Sequence, residues 1–387
     1  MKYPKTAATI FSIVAGFALV TIACKKTDTV VIDPAVSSVL NLPATPFNYA
    51  NQPLPAFLQT PPINGQINTP ANNAITDNGA TLGRVLFYDK NLSATNTVSC
   101  ASCHKQEMGF ADATALSKGF AGGNTGRNSM GLANAKYYPN GKFFWDERAP
   151  TLEAQTLLPI QDHTEMGMNL DTLTKKIASL AYYNTLFQNA FGNSTVTSDK
   201  ISKALSQYVR SIVSYQSKYD DGRQAFAANV APGGGTDFAN FTTEENRGKQ
   251  LFFSPQLACA TCHGTETFTA ANAKNNGLDA TTTDAGVGAI TGNPNQNGLF
   301  KVNSLKNIEL TSPYMHDGRF ATLEQVVEQY NSGVKANPNL DPVLKDPQGN
   351  PRRLNLSVAD KAALVAFLKT LTDRKLCSDE KFGNPFK

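Results

Sequence analysis

Two five-residue stretches restrict what this chain can fold into: Cys100-Ala101-Ser102-Cys103-His104 and Cys259-Ala260-Thr261-Cys262-His263. Two thiols three apart, followed at once by an imidazole, are what covalent attachment of haem c requires. Each cysteine adds across one haem vinyl group, and the adjacent histidine is pinned beneath the ring as an axial iron ligand. With 6 Cys and 4 His among 387 residues, random placement yields about 0.001 such motifs, so a pair of them is a signal. A zinc site would need further ligands at matching spacing, and only His163 and His316 are left over. The expectation is two covalently bound haem c groups, one on Cys100 and Cys103 with His104, the other on Cys259 and Cys262 with His263.

A chain of 387 residues has room for two domains with buried cores, and one motif falls in each half. Net charge is +4 with both signs mixed and no lysine or arginine block, which argues against a nucleic-acid partner. The N-terminus has Lys2 and Lys5, an apolar run from Ala7 to Ala23, then Cys24-Lys25-Lys26. A positive start, an apolar segment and a small residue before a cysteine make a lipoprotein-type signal over 1–24 with Cys24 lipidated, although Thr21 stands where such signals usually carry leucine. An uncleaved anchor is the alternative, its length of about 17 residues being barely enough. Either way the body is exported, to the periplasm, with a membrane anchor at this end only. Cys377 is left over, so no disulfide framework is implied.

Residues 25–75 are rich in Pro, Asn, Thr and Ala without period, the composition of a tether or surface wrap. Leu82, Val85 and Leu86 predict a short helix over 80–89, and Thr242 with Glu245 predicts a capping box opening another over 242–253. Gly83-Arg84-Val85-Leu86-Phe87 aligns with Gly248-Lys249-Gln250-Leu251-Phe252, so a diverged internal repeat puts a similar helix ahead of each haem motif. Further helices are predicted at 171–191, 199–219 and 358–371. Strand-like alternation is nearly absent, 270–299 reads as a long loop, and Pro232-Gly233-Gly234-Gly235 within 229–236 marks the best boundary. The fold class is therefore all-α, with one haem domain over 76–228 and a second over 237–387, in tandem and with long loops. The final residues are free to pack back on the first.

Three more motifs complete the pattern: Phe143-Phe144-Trp145-Asp146, Glu165-Met166-Gly167 and Leu310-Thr311-Ser312-Pro313-Tyr314-Met315-His316-Asp317-Gly318. In order and spacing, the five motifs resemble those of the bacterial di-haem cytochrome c peroxidase family, which includes MauG, over residues 75–387. The resemblance implies two cytochrome c-like domains, with a peroxidatic haem in the first and an electron-transfer haem in the second.

In many members of that family a histidine seven residues before an Arg-Asn-Ser triplet closes the open face of the first haem until the enzyme is reduced. Here the triplet is Arg127-Asn128-Ser129, the position seven back is Phe120, and 105–162 contain no histidine. A five-coordinate first haem, active without prior reduction, is expected. Met108 and Met130 are possible sulfur ligands, but Met108 is too near His104 to reach over the ring easily, and packing is the ordinary role of both. On the open face the resemblance places Gln155, Pro159 and Glu165. Glu165 would take the proton from the inner peroxide oxygen and return it to the outer one, acid–base work worth about 10²–10⁴ in rate. Gln155 would orient the peroxide, and Pro159 would keep the pocket narrow. A lone glutamate is more often a solvated surface charge, so this role rests on the motif match. His163, two residues from Glu165, reads as an exposed loop histidine, with a second proton carrier or a distal ligand as the alternatives.

Trp145 is the only tryptophan. A core aromatic is the plain account, and the resemblance makes it the electron relay between the haems. At the second haem the family's other axial ligand falls fourteen residues after the histidine of the Tyr-x-His-Asp-Gly motif, which here leads from His316 to Tyr330. Peroxidases fed by a cytochrome carry methionine there, a soft ligand that favours ferrous iron, whereas tyrosinate stabilises ferric iron. No methionine follows Met315, so a methionine ligand at that position is ruled out; a buried tyrosine on a helix from Leu323 is the plainer reading of Tyr330. His316 is expected to meet a haem propionate or a structural partner. Asn128, with the backbone oxygens of Thr311 and Pro313, matches the family's calcium position between the domains.

Three functions follow. The first is an exported peroxidase reducing hydrogen peroxide to water with electrons from a small redox protein, a cytochrome c or a cupredoxin. The second is a MauG-like oxidase that uses peroxide to oxidise side chains of a partner protein, for which Tyr330 argues. The third is a plain di-haem electron carrier, against which Glu165 and the missing distal ligand argue. A homodimer is common in the family.

Overall fold

Helices carry the architecture of the computed structural model, which describes residues 1–2 and 33–387. Among the described residues, pairing outside helices is limited to isolated bridges, and no strand forms. The expected lipidation site, Cys24, lies outside the described residues. No helix of the described residues is long and apolar enough to cross a membrane. Ahead of the glycine-rich linker come α1 (Pro34–Ser37), α2 (Asp77–Tyr88), α3 (Cys100–Cys103), α4 (Leu152–Gln161), α5 (Leu170–Ala178), α6 (Ala181–Phe191), α7 (Ser198–Ser211) and α8 (Lys218–Arg223). After it come α9 (Thr243–Phe252), α10 (Cys259–His263), α11 (Val287–Thr291), α12 (Leu323–Glu328) and α13 (Val358–Lys369).

Each haem motif is held against a pair of crossing helices. α2 starts at Thr76, whose Oγ1 accepts from Gly79 N at 3.0 Å, and packs on α7. α9 starts on the predicted capping box, Glu245 N donating to Thr242 Oγ1 at 3.2 Å and Thr242 N donating to Glu245 Oε2 at 2.6 Å, and packs on α13. A Cβ at Gly83 would sit 2.0 Å from the Ala204 carbonyl oxygen, and one at Gly248 would sit 1.8 Å from that of Ala363. Both aligned glycines are therefore crossing points where two backbones touch, and the repeat read from the sequence is a repeated helix crossing.

The buried apolar residues form two main cores. One takes in α2 and α4–α7 with Val36, Leu40, Tyr49, Leu376 and Phe382. The other takes in Tyr219, Phe238, Phe252, Phe268 and Phe367. The division thus falls between Ile212 and Tyr219, ahead of the expected 229–236, because Tyr219 on α8 packs against Phe238, Phe268 and Phe367 of the second lobe. Residues 33–75 are not a free tether: Leu40 bridges to Phe386, Tyr49 OH donates to Lys381 O at 2.6 Å, and Phe57, Leu58 and Ile63 close over Tyr137 and Val213. The C-terminal segment lies on the first lobe, where Tyr88 and Tyr208 both donate to Phe382 O at 2.8 Å.

Three predicted helices are shorter than their patterns. The span 171–191 breaks at Ser179 and Leu180, so that Leu173 and Ile177 on one side and Tyr183 and Phe187 on the other all reach the core. The span 199–219 ends at Ser211, because the extended residues after it are bound elsewhere: Ser214 N donates to Asn134 Oδ1, and Tyr215 N and Gln216 N to Asp373 Oδ2, all at 3.0 Å. The helix from Leu323 turns at Gln329–Gly333 into a π-helical turn.

Candidate active site

Cys100, Cys103 and His104 wall a first cavity, and Cys259, Cys262 and His263 wall a second. Ser99 opens α3 with a capping box, and the three-residue spacing keeps both thiols on one side of the turn. His104 Nδ1–H donates to Phe110 O at 2.9 Å, and His263 Nδ1–H donates to Phe268 O at the same distance. Each bond fixes the imidazole and leaves Nε2 for iron. Phe110 and Phe268 supply those carbonyls with φ of 63° and 57°, a conformation that non-glycine residues hold only under constraint. Burial holds both imidazoles below their ordinary pKa, in the neutral form that ligates. Burial likewise pushes the Cys100 and Cys259 thiols up to about 12, and all four motif cysteines are unpaired. Free thiols, a locked histidine and apolar walls on both sides fit covalently bound haem.

Gln155 and Pro159 share one face of α4 and line the cavity of His104 together with Glu165. Glu153 ties this helix to α7 through a paired contact with the buried Arg210. Glu165 sits in a loop folded on Asp162, whose Oδ1 accepts from Thr164 N at 2.7 Å and from Glu165 N at 3.2 Å. Burial, with Asp162 nearby, pushes the Glu165 carboxyl up to about 7 against the pull of Arg148. Phe120 is not among the residues lining the cavity; its N–H donates to Glu165 O at 2.9 Å, and its ring packs on Gly167. His104 is the one histidine of that lining, and His163 is exposed outside it. Met130 borders both cavities and Met108 neither.

Trp145 lines both cavities. Its Nε1 donates to Asn128 O at 2.8 Å, and its carbonyl accepts from Lys301 N at 2.8 Å. Beyond it, Phe300 stacks on His316 with ring centroids 4.0 Å apart. Trp145 stands 6.4 Å from each of those two rings. Arg127 joins the lobes here, gripping Asp284 with two nitrogens at 2.8 Å and Asp146 at 2.6 Å. The loop around Trp145 is itself repeated. Bridges join Phe143 to Ala149 and Tyr314 to Phe320, Phe144 and Met315 share positive φ of 68° and 77°, and Arg148 and Arg319 each bind the aspartate two residues back. In that register Trp145 and His316 are counterparts.

Tyr330 lines the second cavity with His263 and lies on the π turn, a feature common at functional sites. Burial pushes its phenol up to about 12, with Asn276 pulling the other way; Asn276 also donates to Met315 Sδ at 3.4 Å. Asn128, Thr311 and Pro313 border the second cavity together, and the Asn128 amide nitrogen donates to Thr114 O and Ala115 O, leaving its Oδ1 free. Among the described residues no cluster of three His, Cys, Asp or Glu side chains could hold a metal ion. Sequence reasoning missed Phe300, Lys301 and the Arg127–Asp284 clamp. They lie in or beside a loop without periodicity, and only their contacts mark them.

The sequence profile of di-haem cytochrome c peroxidase matches residues 77–225. The methylamine utilization protein MauG of Methylorubrum extorquens is 32% identical over 306 residues, which cover 78% of this chain and 80% of that protein. The cytochrome c551 peroxidase of Nitrosomonas europaea is 32% identical over 297 residues, covering 76% and 79%. Among solved structures, a MauG-like protein associated with microbial copper homeostasis superposes with a TM-score of 0.73 at 31% identity, covering 87% of this chain and 99% of that one. The diheme peroxidase BthA of Burkholderia thailandensis shares the fold, with a TM-score of 0.66 at 24% identity.

Proposed function

Because this chain belongs to the di-haem cytochrome c peroxidase and MauG family, we propose that it reduces hydrogen peroxide to water at the first haem, with electrons relayed through the second. The observation that carries this reading is Glu165, a carboxyl that lines the first cavity together with His104 and is poised at about 7. When bound, the haem supplies the iron that holds peroxide and the electrons that break its O–O bond. Glu165 takes the proton from the inner oxygen and delivers it to the outer one, and a pKa near ambient pH lets one group do both. Gln155 orients the peroxide by hydrogen bonding, and Pro159 on the same face keeps the space narrow. Trp145, bordering both cavities, carries electrons between them.

A specific observation favours the MauG-like alternative, in which oxidising equivalents reach side chains of a partner protein. The second cavity presents the phenol of Tyr330, and an anionic oxygen ligand stabilises oxidised iron. Around either activity we place a calcium ion at Asn128 Oδ1 and the Thr311 and Pro313 carbonyls, oxygen donors that suit it. The protein is exported to the periplasm, held by lipid on Cys24, fed by a cytochrome c or a cupredoxin, and paired as a homodimer. Resting-state EPR with a redox titration tests both axial assignments. One high-spin ferric haem is expected, and two low-spin haems would remove the open first face. Turnover of peroxide with reduced cytochrome c separates the peroxidase from the alternatives.

A further inference from the structure

At the edge of the first cavity lies a side-chain pair that peroxide cleavage leaves unused. Tyr138 is the one tyrosine among the described residues lining that cavity and is only 2% exposed. Its phenol donates to Glu147 Oε1, and Asn140 Nδ2 donates to the other carboxylate oxygen at 2.9 Å. Glu147 is half-buried and sits two residues after Trp145. The Lys301 ammonium lies 4.1 Å from the centroid of the Tyr138 ring, while the Lys301 backbone N–H holds the Trp145 carbonyl at 2.8 Å. A phenol, a proton acceptor and a cation are thus assembled on the segment that carries Trp145.

Removing an electron from a phenol makes its O–H strongly acidic, so oxidation is easy only where a base within hydrogen-bond reach takes the proton. Glu147 meets that geometric requirement. A cation over the ring opposes positive charge on it, so the electron and the proton leave together. Trp145 is arranged differently, because its N–H points at the Asn128 backbone carbonyl, which is no proton acceptor of comparable strength. Trp145 can pass an electron on, whereas Tyr138 can lose one and keep the vacancy.

We propose that Tyr138 is a redox-active residue, which gives an electron to the peroxide-oxidised first haem as its proton moves to Glu147. The Tyr138 O–H bond breaks, a carboxyl O–H bond forms on Glu147, one electron goes to the haem, and a neutral tyrosyl radical remains. One oxidising equivalent is then stored beside a half-exposed carboxyl and away from iron. The inference rests on the peroxidase reading given above.

The test mixes the resting holoprotein with one equivalent of hydrogen peroxide, freezes it, and records EPR and haem absorption on the same sample. A radical signal is expected that narrows when the protein carries ring-deuterated tyrosine. It falls at least about tenfold in Tyr138→Phe, while the haem absorption still responds to peroxide. Glu147→Gln keeps a hydrogen-bond partner but removes the base, and it lowers the signal similarly; it decides the matter if Tyr138→Phe fails to take up both haems. A haem that responds to peroxide without any tyrosyl signal in the wild type, or a signal that survives both substitutions, overturns the proposal and leaves the peroxidase reading standing. A haem absorption that ignores peroxide removes that reading and this proposal with it.

Discussion

In the first lobe Gly83 lets α2 touch α7, Phe110 locks His104, and a loop bridged from Phe143 to Ala149 carries Trp145. In the second, Gly248 lets α9 touch α13, Phe268 locks His263, and a loop bridged from Tyr314 to Phe320 carries His316. Down to the positive φ at matched positions, these parts are the same. The lobes part company elsewhere in the cavity linings, where the first has α4 and the Glu165 loop and the second has the π turn with Tyr330. The parts that hold the two motif histidines and meet the other lobe are shared, and the rest of each cavity lining is where two copies of one plan differ.

Five substitutions probe that contrast. Glu165→Gln has the largest expected effect, lowering peroxide turnover with reduced cytochrome c about 10²–10⁴-fold; a loss of about tenfold or less would take Glu165 out of the acid–base role. With its carboxyl at about 7, the wild-type rate rises as pH passes through that value and the base form appears, and the variant's profile stays flat there. Gly83→Ala and Gly248→Ala test the shared crossing. The added Cβ would meet a backbone carbonyl oxygen, so overpacking of about 3 kcal/mol or more outweighs the about 0.5–1 kcal/mol that lower chain entropy returns, and each should lose at least about 2 kcal/mol in denaturant unfolding. An unchanged midpoint in one of them would break the equivalence of the lobes. Tyr330→Met should raise the midpoint potential of the second haem, since a thioether favours ferrous iron; an unchanged potential means that Tyr330 does not bind iron. Phe120→His should do least. Its ring packs on Gly167 away from the cavity lining, so the resting EPR of the first haem stays as it is, and a new low-spin signal would mean that this loop can swing over the iron.

Much of the plan was legible because it is local. The haem motifs are five residues long, the α9 capping box spans four, and the aligned segments around Gly83 and Gly248 showed a repeated helix ahead of each motif, although not that each glycine is a crossing point. Glu165 was legible only through resemblance, since nothing in its own segment distinguishes a surface carboxylate from one whose pKa is raised by burial. The π turn at Gln329, the Phe300–His316 stack and the Tyr138–Glu147 pair left no mark in sequence. Each is produced by contacts between segments that share no period, and such contacts exist only once the chain has folded. The early division between the lobes was hidden for the same reason, because a linker rich in glycine marks where the chain bends easily and not where the cores separate.

The first core contains Leu376 and Phe382, whereas the second is complete by Leu371. A chain that emerges N-terminus first therefore holds every piece of its second lobe before it holds every piece of its first. The lobe that begins earlier in the sequence is the last that can be finished, because Leu376 and Phe382 join its core after Leu371 has closed the other. Order of assembly is thus written into the positions of Leu376 and Phe382.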